Sequence, residues 1–283
     1  MDITKIYKTF PTQKACIKYL EKVRWNNKPQ CPYCKSFNAT PMPKEHRYHC
    51  NVCNTSYSVT VRTIFHKTKL DLQKWFLAIS LILNAKKGIS ARQLARHLDV
   101  NKNTAWYMGM RIRRSMIEDR ELMSGFVEMD ETYVGGKPRK GDPPSKRGRG
   151  TKKTPVVGMV ERGGNVYAKV QKKLNSKALS RMVKENIDIS KSIIITDEFT
   201  GYIRLKRYAR HRVINHQRGY VDGYIHTNTI EGFWALLKRG IIGQYHKVSV
   251  RYLNQYINEF CYRYNNRETD DLFGLTISNA LGV

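Results

Sequence analysis

The segment CPYCKSFNATPMPKEHRYHCNVC sets four cysteines in the pattern Cys31-x2-Cys34-x15-Cys50-x2-Cys53, and no other stretch restricts the fold as tightly. Each Cys-x2-Cys forms a tight knuckle presenting two thiolates. A hairpin between the pairs then brings the four sulfurs to the corners of a tetrahedron around one structural Zn2+. With four thiolates the coordination sphere is closed, so His46, His49 and His66 receive no metal role. Cys16 and Cys261 stand apart and read as small buried hydrophobes.

Charge narrows the partners. Lys and Arg number 51 against 23 Asp and Glu, giving a formal net charge of +28. That excess goes beyond what solubility requires and calls for a polyanion, with nucleic acid expected first. An anionic membrane surface competes, but no apolar run approaches the roughly 20 residues that span a bilayer. No apolar signal segment follows Met1, so a soluble intracellular protein with no membrane partner is expected. At 283 residues the chain is long enough for two or three units.

Residues 11–25 read as a helix capped by Thr12, with Ala15, Ile17, Leu20 and Val23 near helical spacing. After the cysteine segment, residues 69–87 form an apolar helix. The stretch 88–116, GISARQLARHLDVNKNTAWYMGMRIRRSM, reads as helix–turn–helix: Ser90 and Gln93 make a capping box, and Leu94, Ala95 and Leu98 face inward. Its second helix offers Lys102, Asn103, Thr104, Arg111, Arg113 and Arg114 to phosphates and base edges. Two core helices with a solvated basic face are the alternative for this pattern. From residue 125 the periodicity becomes that of an α/β domain in the order strand, strand, strand, helix, strand, helix, strand, helix. Gly163-Gly164 marks a hairpin, and the basic, Gly- and Pro-rich stretch 137–153 reads as a mobile insertion.

Three acids interrupt the first of these strands, GFVEMDETYVGGK: Glu128, Asp130 and Glu131. Acids are poor strand formers and costly to bury, so their presence needs a function. Alternation places Glu128 and Asp130 on one face and Glu131 on the other, pointing away toward a basic partner. Asp130 has matching acids in Asp197, at the end of IIITDEF, and Glu231, in NTIEGFW. Carboxylates at the ends of adjacent strands, joined by one from a helix, can share Mg2+ (or Mn2+) through oxygen ligands. Two such ions about 3.5–4 Å apart serve in-line phosphodiester displacement. Glu128 is then a neighbour behind the ligand. Lys238 follows Glu231 by two helical turns and can reach a substrate phosphate.

The stretches MDETYVGGK, IITDEFTGY, HTNTIEGFWALLKRGIIGQYHKVS and YLNQYINEFCYRYNNR, together with RWNNKPQCPYC and YHCNVCNTSYSVT, resemble a DDE-type bacterial insertion-sequence transposase with an N-terminal zinc ribbon, the ISXO2-like subclass. The resemblance covers nearly the whole chain. It implies an RNase H-like catalytic fold with Asp130, Asp197 and Glu231 as the metal-binding triad and Lys238 trailing the third acid. Some relatives carry asparagine at the third position, and Asn228 lies close by; a carboxylate binds Mg2+ better, which leaves Asn228 as a helix cap. The implied partners are double-stranded DNA, both transposon ends and target, with a homodimer or larger assembly on DNA. The implied location is the bacterial cytoplasm, in association with the nucleoid.

The division expected is residues 1–66 for the N-terminal helix and zinc ribbon, 67–120 for the helix–turn–helix region, and 121–283 for the catalytic domain with its insertion at 137–153. Two other readings share these features. One is a sequence-specific DNA-binding regulator derived from a transposase, and the other a different RNase H-like nuclease.

Overall fold

The computed structural model describes residues 1–117, 120–135, 153–215, 219 and 221–283, so that the basic insertion, apart from Lys153, lies outside the described residues. The chain forms two compact units, one of Met1–Ile117 with Thr269–Val283, the other Glu118–Glu268.

The first unit begins with α1 (Ile3–Thr9) and α2 (Gln13–Trp25). Thr12 caps α2 as expected, its hydroxyl accepting from the Ala15 N–H at 3.2 Å. The deepest side chains of α2 are Cys16 and Leu20, with Ala15, Ile17 and Val23 half-buried. A small antiparallel sheet follows, of β1 (Ala39–Met42), β2 (Arg47–Cys50) and β3 (Ser56–Tyr57). Then come α3 (Leu72–Asn84), α4 (Ala91–Leu98) and α5 (Lys102–Arg114). Ser90 caps α4 through the Gln93 N–H, and Leu94, Ala95 and Leu98 are buried as the pattern required. Asp99 takes a left-handed conformation (φ 49°) that stops α4 and turns the chain into α5, which Asn101 caps.

Two boundaries differ from expectation. The ribbon and the helices that follow it are one unit rather than two. The end of the chain, expected with the catalytic domain, belongs to the first unit: α9 (Leu272–Leu281) places Phe273 against Phe76 (ring centroids 5.6 Å) and Phe10 (6.3 Å), and the Ala280 carbonyl accepts from the Ile64 N–H. A helix reading LFGLTISNAL has a wide apolar surface and must bury it where an apolar partner exists. Here that partner is the aromatic core of α2 and α3.

The second unit is built on a five-stranded mixed sheet, in spatial order β6-β5-β4-β7-β8. Its strands are β4 (Met123–Val134), β5 (Thr154–Glu161), β6 (Val166–Val170), β7 (Ile187–Thr196) and β8 (Arg210–Val213). The first three form an antiparallel meander, while β7 and β8 run parallel to β4. Gly163, at φ +75°, makes the β5–β6 hairpin. This is the α/β, mixed-sheet class expected from the sequence.

Helices cover both faces of the sheet, and strand alternation decides which residues meet them. Val127, Met129, Val157, Met159 and Ile194 pack against α6 (Ser176–Asn186) and a 3₁₀ helix (Thr200–Arg207). Val134, Val156, Val160, Val166 and Ala168 pack against α7 (Asn228–Gly240) and α8 (Val250–Asn265). The free edge of β6 is covered rather than left to pair with another chain: Asn265 and Asn254 of α8 accept from the Val166 and Val170 N–H groups at 2.8 and 2.9 Å.

Candidate active site

The register of the sheet builds the acidic site. Glu128 of β4 lies beside Ile195 of β7, and the same parallel register carried two residues further sets Asp130 beside Asp197. β7 ends at Thr196, so Asp197 leaves the sheet there and turns back on itself, its Oδ1 accepting from the Phe199 N–H at 3.0 Å. Carboxylate oxygens of Asp130, Glu131 and Asp197 lie within 4.8 Å of one another.

Glu131 projects to the face opposite Asp130, as alternation demands. Tyr202 of the 3₁₀ helix donates its hydroxyl to Glu131 Oε2 at 3.0 Å, holding the carboxylate at the strand end beside the other two. Tyr202 is buried, and its hydroxyl is pushed well above the usual phenol range by that burial and by the surrounding acids. It stays protonated and donates to the carboxylate.

Asp130 carries the strongest electrostatic strain. Burial first, then the charges of Glu131 and Asp197, push its carboxyl from the ordinary 3.8 up to about 7, against opposing hydrogen bonds from the Glu131 backbone and Trp234. A divalent cation among these oxygens would relieve that repulsion, and the all-oxygen donor set suits a hard ion such as Mg2+ or Mn2+.

α7 is fixed to the strand at two points. Trp234 Nε1 donates to Asp130 Oδ2 at 3.0 Å. Directly across from Asp130 in the β4–β5 ladder is Gly158, where a Cβ would stand 2.5 Å from the Trp234 ring and 3.1 Å from Ile230. The missing side chain is what lets α7 lie this close.

The second fixing point is Glu128, whose carboxylate is completely buried. Its oxygens accept from the Thr229 N–H (2.8 Å), the Ile230 N–H (3.0 Å), the Thr229 hydroxyl (2.9 Å) and Arg162 Nε (2.7 Å), with His226 Nδ1 at 3.2 Å. Two of these donors are backbone groups of the first turn of α7, so a strand carboxylate caps the helix and meets the positive end of its dipole. Asn228, expected as the cap, is instead the first helical residue and is exposed, while Thr227 forms no side-chain cap. The signal was in the sequence: Glu128 shares Asp130's face two residues earlier, with a helix start to receive it.

Glu231 stands on the exposed side of that first turn, where its Oε1 accepts from the Thr227 hydroxyl at 3.0 Å. Among the described residues it is outside the close group of Asp130, Glu131 and Asp197. It lies one turn before Trp234 on the helix that Trp234 ties to Asp130. Lys238 is exposed two turns beyond Glu231.

In the first unit the four predicted cysteines meet. Cys31 and Cys53 sulfurs are 3.7 Å apart, Cys34 and Cys50 sulfurs 3.4 Å, and all four lie within 4.8 Å of one another. Zn–S bonds of about 2.3 Å in a tetrahedron require edges of about 3.8 Å, so the set fits one zinc ion with little adjustment. The backbone N–H of Cys53, in the second knuckle, helps hold the Cys50 thiol down to about 6, favouring the thiolate.

Of the six predicted DNA-contacting residues on α5, the structure leaves Lys102, Asn103 and Arg114 exposed and Thr104 half-buried. Two others are engaged within the fold. Arg111 donates to the His66 and Thr63 carbonyls at 3.0 and 3.2 Å and lies over the Trp75 and Tyr107 rings. Arg113 is 4 % exposed, its guanidinium in space left by Gly109, where a Cβ would be 3.0 Å from Nη1. A glycine four residues before an arginine on a helix was the available signal.

Residues 122–265, just over half of the chain, match the family model of the ISXO2-like transposase domain. The chain belongs to that transposase family. A second model, the transposase zinc-ribbon domain, matches residues 11–56 of the transposase and contains all four cysteines. A protein of Halobacterium salinarum, "Uncharacterized protein in transposable element ISH50", is 29% identical over 270 residues, covering 89% of this chain and 91% of that protein. Among solved structures, the Mos1 transposase paired-end complex with left transposon end aligns over 72% of this chain and 78% of that one, at 12% identity and a TM-score of 0.31. A pre-cleavage Mos1 transpososome aligns over 71% and 78%, at 13% identity and 0.27. The overlap at these scores is slight, and the family assignment rests on the sequence models. Among the described residues no helix is long and apolar enough to cross a membrane.

Proposed function

We propose that this transposase cleaves phosphodiester bonds at the ends of its element and joins the freed 3′-hydroxyls to target DNA, using Asp130 and Asp197 as the central metal ligands. The supporting observation is the register that sets Asp130 beside Asp197 and gathers Glu131 with them in a chain carrying +28 net charge. Bound Mg2+ or Mn2+ would lower the pKa of the attacking water and stabilise the leaving oxygen. The protein's own contribution is position. β4 and the end of β7 hold the two aspartates, Tyr202 orients Glu131, and Trp234 with Glu128 sets α7. Glu231 supplies the third acid of the triad from α7, ahead of the neighbouring Asn228, and Lys238 meets a phosphate of the bound end.

The zinc ribbon and the α4–α5 pair recognise the terminal inverted repeats, with Lys102, Asn103, Thr104 and Arg114 as the α5 residues free to reach DNA. Both ends must be handled together, so the active species on DNA is a dimer or larger. Purified protein with Mg2+ and labelled end DNA is expected to nick at one defined phosphate, and Asp130→Ala or Asp197→Ala is expected to abolish nicking while sequence-specific binding persists. Nicking by either variant at the parent rate would remove the site assignment. Specific binding without cleavage in Mg2+ or Mn2+ by the parent would instead favour the regulator.

A further inference from the structure

We propose that the cleft between α6 and the 3₁₀ helix seats the phosphodiester backbone of double-stranded DNA, on the wall that continues into the acidic site. The proposal rests on the transposase reading only for which polyanion is bound; the cleft itself is read from its charges and shape.

Helical geometry produces two facing rows of cations. On α6, Lys177, Arg181 and Lys184 are spaced four and three residues apart and form one exposed stripe, opposite the buried Leu179, Met182 and Val183. In a 3₁₀ helix residues three apart eclipse one another, so the exposed Arg204 and Arg207 stack in a second row while Tyr202 and Leu205 stack inward. Gly201 lets the two elements close together, since a Cβ there would meet Leu179 at 2.9 Å and the Phe199 ring at 2.5 Å. Between the rows lies a concavity of about 430 Å³ whose remaining lining is Ser180, Glu185 and Tyr208. Lys184 Nζ sits 5.1 Å above the Tyr208 ring, and the Tyr208 hydroxyl is buried with no hydrogen-bond partner.

None of the five cations makes an ion pair with a described acid. Five like charges converging on one cleft repel one another, and an anion with several linked charges relieves this best, by releasing its own counterions. The α6 row advances about 10 Å from Lys177 to Lys184 at the helical rise of about 1.5 Å per residue. That equals the axial advance of about three nucleotides of one DNA strand. A compact anion would engage one end of the rows; a backbone engages both. The cleft also points to the chemistry. Tyr202, which donates to Glu131, precedes Arg204 by two residues in the same 3₁₀ helix, so DNA on the rows passes along the wall of the acidic site.

The test uses the full-length protein and a duplex oligonucleotide of arbitrary sequence. The double variant Arg181→Glu/Arg204→Glu is expected to bind more weakly, with the slope of log affinity against log salt shallower by about 2. The double variant Lys247→Glu/Arg251→Glu, which changes the net charge equally from exposed positions in the loop before α8 and in its first turn, is expected to keep a slope near the parent's. Thermal unfolding verifies that both variants remain folded. In parallel, an amine-reactive reagent is expected to modify Lys177 and Lys184 at least several-fold more slowly when DNA is bound, with Lys172 as reference. The proposal is overturned if the two double variants share one slope and DNA leaves the reactivity of Lys177 and Lys184 unchanged. It is also overturned if inorganic phosphate alone gives the full protection. Asp130→Ala protein is expected to show the parent slope and protection, so loss of cleavage and loss of the DNA seat are read separately.

Discussion

Replacing Glu128 with alanine separates a carboxylate that positions the site from one that carries out its chemistry. The side chain is completely buried, and its removal orphans two first-turn N–H groups of α7, the Thr229 hydroxyl and one face of Arg162. Loss of a helix cap alone costs about 0.5–2 kcal/mol. Breaking a buried ion pair by deleting one partner costs about 3–5 kcal/mol. The lower end applies here, because the Arg162 side chain is 20% exposed and keeps the Tyr224 and His226 carbonyls as acceptors at 2.7 and 2.9 Å. The two effects share the same groups and do not add, so the expected loss is about 3 kcal/mol for the second unit. At roughly 2–4 °C per kcal/mol for a domain of this size, that is a fall in melting temperature of about 6–12 °C.

Urea and thermal unfolding of Glu128→Ala and Glu128→Gln measure this directly. The glutamine variant keeps the shape but sets an NH2 group against a cluster of donors, and is expected to recover less than half of the loss. Nicking by the folded fraction is expected to fall by about 100-fold in Glu128→Ala, since a displacement of about 1 Å in a catalytic element carries that penalty. Sequence-specific DNA binding is expected to stay at the parent level, because the groups proposed to read sequence lie in the other unit. A Glu128→Ala protein that melts within 2 °C of the parent (a shift of about 1 kcal/mol or less) and nicks at its rate would refute the reasoning. So would an additive double-mutant cycle with Arg162→Met.

Three further outcomes are expected. Gly158→Ala places a methyl group 2.5 Å from the Trp234 ring; overpacking of this kind costs about 1–3 kcal/mol, and calorimetry should show it together with a slower nicking rate. Because Asp130 is raised to about 7 from 3.8, the folded metal-free protein holds a proton that the unfolded chain has lost between those values; in chelator its stability falls as pH rises from about 4 to 7, and its affinity for Mn2+, followed by calorimetry, rises up to tenfold per pH unit toward pH 7 and then levels. Removing zinc with a strong chelator, or replacing Cys50 with alanine, unfolds the ribbon, because zinc supplies about 10–16 kcal/mol to such small sites; Trp25, 5.7 Å from the Tyr48 ring and 5.8 Å from the Tyr57 ring, reports the loss as a fluorescence change, with one zinc per chain in the parent by elemental analysis.

Much of this site is local in the sequence. Strand periodicity assigns faces to Glu128, Asp130 and Glu131, and a run of isoleucines ending in an acid marks Asp197. The cysteine spacing leaves one arrangement for the ribbon. What periodicity does not contain is where an element goes after it forms. α9 presents an apolar face to any buried surface, and only the aromatic cluster of Phe10, Phe76 and Tyr19 decides that it joins the first unit. Arg111 and Arg113 lie on a basic helix that reads as a DNA-facing surface, yet long aliphatic stems let arginine satisfy carbonyls and fill space beside glycine. Glu131 was assigned its face correctly, but the Tyr202 hydroxyl that meets it comes from a 3₁₀ helix far along the chain, which strand periodicity does not show.

The acids of β4 show how one strand divides structural from chemical work. Glu128 is the more deeply buried, and four donors from Arg162, Thr229 and Ile230 are arranged on it, so its charge is satisfied and its position fixed. Asp130, two residues on, accepts from Trp234 and from the Glu131 backbone, but two neighbouring carboxylates outweigh these. A strand that needed only stability would not set three acids together where its neighbour ends. A strand that must bind a divalent cation has to leave its ligands short of protein donors, so that the ion meets the remaining need. The same strand must then anchor them against their mutual repulsion. The saturated carboxylate at Glu128 and the indole of Trp234 are that anchor, one fixing the start of α7 and the other its second turn, and Gly158 leaves α7 the room to lie against the strand.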